Sequence, residues 1–177
     1  MSKRIIKIFV ILGAIFILSD IGILIYKQIA KTIRYDTPEE SFEKSAPYGS
    51  ELVNILEVDD FALVVYKNRK DAYSDKIISN DGNGWDSFLK SHKQIKSIMD
   101  EVGFIDVIKI NNKYIVVLSL ASNDSDSKIS DSINSEFMFD SYDISGGRNL
   151  LYAISVIGEE FPEDYTISIN NREISVQ

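Results

Sequence analysis

The sequence predicts an α+β chain: an N-terminal transmembrane helix followed by a single β-rich, antiparallel, sandwich-like domain with one or two helices. Three observations lead there. A 22-residue apolar run opens the chain, with basic residues on both sides. The charge then reverses: residues 1–34 carry a net +5 and residues 35–177 a net −13. Beyond residue 50, apolar segments of six to eight residues alternate with short polar turns, the pattern of an antiparallel meander.

The apolar run reads IIKIFVILGAIFILSDIGILIY from Ile5 to Tyr26. As a helix it spans about 33 Å, enough for a hydrocarbon core of about 30 Å. Lys7 and Asp20 interrupt it. An Asp at the bilayer centre costs about 2.5–3.5 kcal/mol, and each Ile, Leu, Phe or Val offsets about 0.3–0.6 kcal/mol of that. The run holds nine Ile, three Leu, two Phe and one Val. Together they contribute about 4.5–9 kcal/mol on that scale, so insertion survives Asp20. Lys7 sits near the end and can snorkel. Asp20 lies about 9 Å from the other end, where water reaches it; its second reading is a polar contact to a partner helix inside the membrane. No A-x-A-like site follows the run, which favours an uncleaved signal-anchor over a removed signal peptide. Three basic residues lie near each end, so the positive-inside count is balanced. A short tail ahead of a signal-anchor stays in the cytoplasm, which places residues 35–177 outside the cell.

The segment TPEE at residues 37–40 is a helix start. Thr37 can cap, Pro38 suits the first helical position, and Glu40 can close a capping box. Pro47, Tyr48 and Gly49 stop this helix, which is expected to cover one edge or end of the sheet. Strands follow at 52–58, 61–66 and 73–79, with turns at Asp59-Asp60 and at 68–71. Asp81-Gly82-Asn83-Gly84 is a loop. Across residues 86–102, Phe88, Leu89, His92, Ile95, Met99 and Val102 recur at helical steps, with Asp86 or Ser87 as cap and Gly103 as stop. A helix is expected there, with a second meander as the alternative. Strands at 104–110 and 113–120 flank Asn111-Asn112, a plausible type I′ turn because Asn tolerates positive φ. The end of the chain repeats the device: VIKINNKYIVV at 107–117 and TISINNREISV at 166–176 share six of eleven positions. Two hairpins meeting the same turn requirement account for this more simply than a duplication. Further strands at 137–142 and 150–156 flank a turn at Gly146-Gly147.

Composition excludes several function classes. With no cysteine there is no disulfide framework, Cys-ligated zinc, thiol nucleophile or lipoprotein anchor. His92 is the single histidine, so no site in one chain can use two imidazoles. The acid excess disfavours nucleic acid. No Gly-x-Ser-x-Gly elbow and no phosphate-binding Gly-rich loop occurs, and no cofactor or metal is implied. The acidic stretch at 123–126 fails as a calcium loop at Lys128 and Ser135, and Asp81-x-Asn83 fails at Trp85. The aromatic residues Tyr48, Tyr66, Trp85, Tyr142 and Tyr165 are candidates for a partner-binding face, with packing at the edge of the core as the simpler role.

The layout resembles that of small, uncharacterised Gram-positive membrane-anchored cell-envelope proteins. The residues carrying the likeness are 37–40, 61–66, Trp85 and 165–170. The resemblance implies one N-terminal anchor and a β-rich extracytoplasmic domain, and it supplies no catalytic residues. The expectation is therefore a single-pass membrane protein whose non-enzymatic domain binds a basic or neutral protein partner, while the bilayer holds residues 5–26. An immunity protein against a cationic peptide or toxin, and an envelope hydrolase using a carboxylate pair, are the alternatives.

Overall fold

The structure, a computed structural model, describes residues 18–26, 28–29, 32–88, 90, 92–100, 103–122, 128–144 and 148–176. The first 17 residues of the expected span and flank thus lie outside the described residues. Residues 18–26 and 28–29 are helical and exposed, and Asp20 lies in this stretch. No helix among the described residues is long and apolar enough to cross a membrane.

The rest is β-rich and antiparallel, with one further short helix. In chain order the elements are β1 (Arg34–Tyr35), α1 (Pro38–Ser45), β2 (Glu51–Val58), β3 (Phe61–Lys67), β4 (Tyr73–Ser79) and β5 (Trp85–Asp86). Then come β6 (Gln94–Asp100), β7 (Gly103–Ile110), β8 (Lys113–Ser122), β9 (Ile129–Asp131), β10 (Met138–Ile144), β11 (Arg148–Gly158), β12 (Thr166–Ile169) and β13 (Arg172–Ser175). A five-stranded sheet in the order β10-β11-β8-β7-β6 is central. Three-stranded sheets β2-β3-β4 and β13-β12-β9 pack on its two faces, and β1 pairs with β5.

Alternation along the strands builds this stack. Ile105, Val107, Val116, Leu118, Leu120, Leu151 and Ala153 point to one face of the central sheet, where they meet Ile167, Ile174 and Val176. Ile110, Ile115, Val117, Tyr152 and Ile154 point to the other, where they meet Leu56, Phe61, Leu63, Val65 and Ile77. The remaining face of β3 and β4 sends Ala62, Val64 and Ile78 against Phe42, Trp85 and Phe88. The buried residues therefore form three clusters, one in each space between layers. Strands β3, β8 and β11, covered on both faces, carry unbroken buried runs rather than alternation.

Helix α1 starts as its sequence demands. Thr37 accepts from the Glu40 amide at 3.2 Å, and the Glu40 carboxylate accepts from the Asp36 amide at 3.2 Å. It ends with the Ala46 amide donating to the Phe42 carbonyl. Its place differs from expectation: Phe42 packs on a sheet face, not on an edge or end.

The expected helix at 86–102 is a correction. Gln94–Asp100 is strand β6, paired antiparallel with β7. The helical recurrence joined residues that belong to different layers. Phe88 is buried beside α1, whereas Ile95 and Met99 are exposed on β6, and only Ile98 leans on the central core. Asp86, read as a cap, is instead buried in β5. Gly103 lets β7 approach β8 closely at its start: a Cβ there would lie 2.1 Å from the Ser119 carbonyl oxygen.

Both Asn-Asn turns form as expected. Asn111 and Asn112 have φ of 49° and 65°, and Asn170 and Asn171 have 51° and 67°. They close β7–β8 and β12–β13 with two-residue loops in different sheets. The Gly146-Gly147 turn and the acidic stretch at 123–126 lie outside the described residues.

Candidate functional site

The five aromatic candidates do not share a face. Tyr48 is 86% exposed with the Arg69 guanidinium over its ring. Trp85 is only 6% exposed and, like Tyr66, packs in the layer beneath α1. Tyr142 is half-buried between layers, stacked on Tyr73 at 5.4 Å. Tyr165 is fully buried and donates its hydroxyl to Asp131 at 2.7 Å. Trp85 and Tyr165 fill cores, which is the simpler of the two roles expected of the aromatic residues.

What the fold does assemble is a groove over the outer end of the β7–β8 hairpin. Strand β11 carries a bulge between Val156 and Gly158, the latter at φ +124°. The bulge bends β11, and residues 159–164 then arc over Tyr114. Phe161 pins this loop, its ring centroid 5.4 Å from that of Tyr114 and 5.1 Å from that of Tyr165. The Val176 amide donates to the Tyr165 carbonyl at 2.9 Å and fixes the far end.

Two adjoining recesses result. One, of about 220 Å³, is lined by Ile95, Lys96, Val107, Tyr114, Phe161, Pro162, Glu163 and Val176. The other, of about 570 Å³, shares Tyr114, Phe161, Pro162 and Glu163 and adds Glu159 and Glu160. The floor is thus aromatic and apolar, the outer rim is carboxylate, and Lys96 stands in the wall of the smaller recess. All three glutamates are solvent-exposed. The Tyr114 ring already attracts a cation: Lys109 Nζ sits 4.4 Å from its centroid. Sequence reasoning passed over this site. The signal was the run Glu159-Glu160-Phe161-Pro162-Glu163-Asp164, four acids around an aromatic residue and a proline.

Two buried polar clusters lie elsewhere. Beneath α1, Asp86 is 1% exposed. It accepts from the Ser79 amide at 3.2 Å and the Ser79 hydroxyl at 3.1 Å, and pairs with Lys90 at 3.1 Å. His92 Nε2 stands 3.5 Å from the same carboxylate, and burial lowers the imidazole's affinity for a proton. The Ser79 hydroxyl turns to the carboxylate and not to the imidazole, so this is not the relay of an activated serine. Ser-x-x-Lys spacing occurs at Ser41/Lys44, Ser87/Lys90 and Ser125/Lys128, the serine of the last lying outside the described residues. Ser41 is buried, with its hydroxyl on the Asp86 carbonyl, while Lys44 faces solvent. Lys76 lies over the Phe88 ring at 4.7 Å, and burial lowers its amine to about 8.

Between β4 and the central sheet, burial and then the Asp106 charge push Asp75 up to about 6. Asn54 donates to Asp140 at 2.7 Å in the same layer. Burial raises the Tyr142 and Tyr152 phenols to about 12. Among the described residues, no three acidic or histidine side chains converge to hold a metal ion. Asp81, a residue of the rejected calcium pattern, is bound by Arg34 at 2.7 Å.

No family model, curated protein or solved structure matches the chain.

Proposed function

We propose that this chain is a single-pass membrane protein whose extracytoplasmic β domain binds a protein partner through a cationic side chain. Residues 5–26 form the anchor, the short N-terminal tail stays in the cytoplasm, and residues 35–177 face outward. The apolar run with its basic flanks supports the anchor, and the layout shared with small Gram-positive envelope proteins agrees with it. The observation that carries the binding role is the groove: Tyr114 and Phe161 floor a recess rimmed by Glu159, Glu160 and Glu163. A lysine or arginine entering it meets aromatic faces and carboxylates together. The net −13 of residues 35–177 steers a basic partner toward it.

The test uses full-length protein in detergent, titrated with a lysine-bearing peptide at two salt concentrations. Binding should weaken about tenfold in Glu160→Gln/Glu163→Gln and fall with salt. Equal affinity in wild type and variant would rule the groove out. Protease accessibility on intact cells checks the orientation; a protected C-terminal domain contradicts it.

Protection against a cationic peptide or toxin would use the same groove, and loss of protection on deletion would favour that reading. The hydrolase alternative needs a carboxylate pair and draws on Asp75 and Asp106, the charge of the second adding to burial in raising the proton affinity of the first. It requires a substrate path between β4 and the central sheet, and activity lost in Asp75→Asn would support it.

A further inference from the structure

We infer that the groove takes its partner as an extended strand, added to the open edge of β6. This rests on the groove reading above and names the partner's conformation and sequence class.

Strand β6 ends the central sheet, with β7 as its one neighbour among the described residues. Its outer edge presents seven residues of backbone, about 23 Å at about 3.3 Å per residue. Such an edge is a template for another strand unless it is shielded. Among the described residues the irregularity of this edge lies at its beginning, where the register slips between Gln94 and Lys96. That bulge leaves Ile95 51% exposed and places it, with Lys96, in the wall of the smaller recess.

The two faces of this edge differ. Lys96 is level with Val107, on the side of Tyr114, Phe161 and the glutamate rim. Met99 is level with Phe104 on the opposite side, and these two are 78% and 48% exposed. Alternate side chains of an added strand fall on opposite faces. One set therefore reaches the groove, where lysine or arginine is favoured. The other set lies against Met99 and Phe104, where an apolar residue is favoured. The partner segment is thus about seven residues long, with basic and apolar residues alternating. Charge argues against a second copy as the occupant, since pairing β6 with β6 would bring two strongly acidic domains together.

The test uses the full-length protein in detergent and an end-blocked eight-residue peptide of alternating lysine and valine. Two controls carry N-methyl groups on alternate residues, one on each set. We expect the parent peptide to bind and to protect the amides of residues 94–100 from hydrogen exchange. Whichever control blocks the paired edge should bind at least tenfold more weakly. If binding depends on Glu160 and Glu163 but ignores N-methylation and leaves β6 unprotected, the strand inference falls and the groove reading stands. If neither this peptide nor polylysine binds, both fall. Protection of β6 that rises with protein concentration, without peptide, would assign the edge to a second copy and overturn the inference.

Discussion

The Tyr165 hydroxyl donates to Asp131 Oδ2 at 2.7 Å beneath the β12–β13 hairpin. The other oxygen of Asp131 accepts from the amides of Ile133 and Ser135, at 3.2 Å and 2.8 Å. One carboxylate therefore holds both the turn after β9 and the residue that ends the groove loop. Burial, then the hydrogen bond to Asp131, raises the phenol's hold on its proton. Tyr165→Phe keeps the ring and deletes the donor, so the cost should be about 1–2 kcal/mol. Urea unfolding of the detergent-solubilised protein measures it. An unchanged midpoint would show that the contact adds nothing net.

Asp86 should matter more. Its side chain serves the Ser79 amide and hydroxyl and the Lys90 ammonium in the layer under α1. Asp86→Ala strands these groups where water cannot replace the carboxylate, at a cost of about 3 kcal/mol or more. Ser79→Ala removes one donor and should cost about 1 kcal/mol. Hydrogen exchange in α1 should rise in the first variant, because the Asp86 strand also accepts from Ser41. The reverse order of the two costs would refute this account.

Asp75 predicts a pH dependence. Its carboxyl binds a proton more tightly in the fold, at about 6, than in the unfolded chain, near 3.8. The stability this contributes is full below about pH 4 and is lost as pH rises through about 6. The swing is roughly 3 kcal/mol at about 1.4 kcal/mol per unit. Asp75→Asn imitates the protonated form, so it should raise stability at pH 7 and flatten the profile between pH 4 and 7. Unfolding midpoints across that range test both; a variant with the wild-type slope would exclude Asp75 as its source.

Gly103→Ala should disrupt the pairing of the start of β7 with the end of β8. The added carbon would lie 2.1 Å from the Ser119 carbonyl oxygen and 2.8 Å from Leu120 Cα, both backbone atoms. The φ of +152° adds a conformational penalty. A loss of more than about 2 kcal/mol is expected, with exchange rising first at 103–105 and 118–120. Wild-type protection of those amides would contradict the geometry.

Much of the strand layout was legible from residues alone because its signals are local. Asn111-Asn112 and Asn170-Asn171 specify tight hairpins through their tolerance of positive φ. Thr37, Pro38 and Glu40 specify a helix start by satisfying its free amides. The strip at 86–102 misled because Phe88, Ile95 and Met99 show helical spacing yet sit in different environments. Spacing reports periodicity, and the pairing partner of a strand is not in its own sequence.

The site was less legible for the same reason. Tyr165 and Trp85 read as binding or packing residues, and packing against distant strands made them core. Tyr114 and Phe161, 47 positions apart, became a pair only because the bulge before Gly158 swings one loop over the β7–β8 hairpin. The chain by itself determined the charge division between residues 34 and 35, the turn positions and the helix cap, since each depends on neighbours along the backbone. The stacking of the sheets, the fate of each aromatic ring and the acid-rimmed groove were decided only in three dimensions. They depend on which faces exclude water together, and that is a property of contacts between segments remote in sequence.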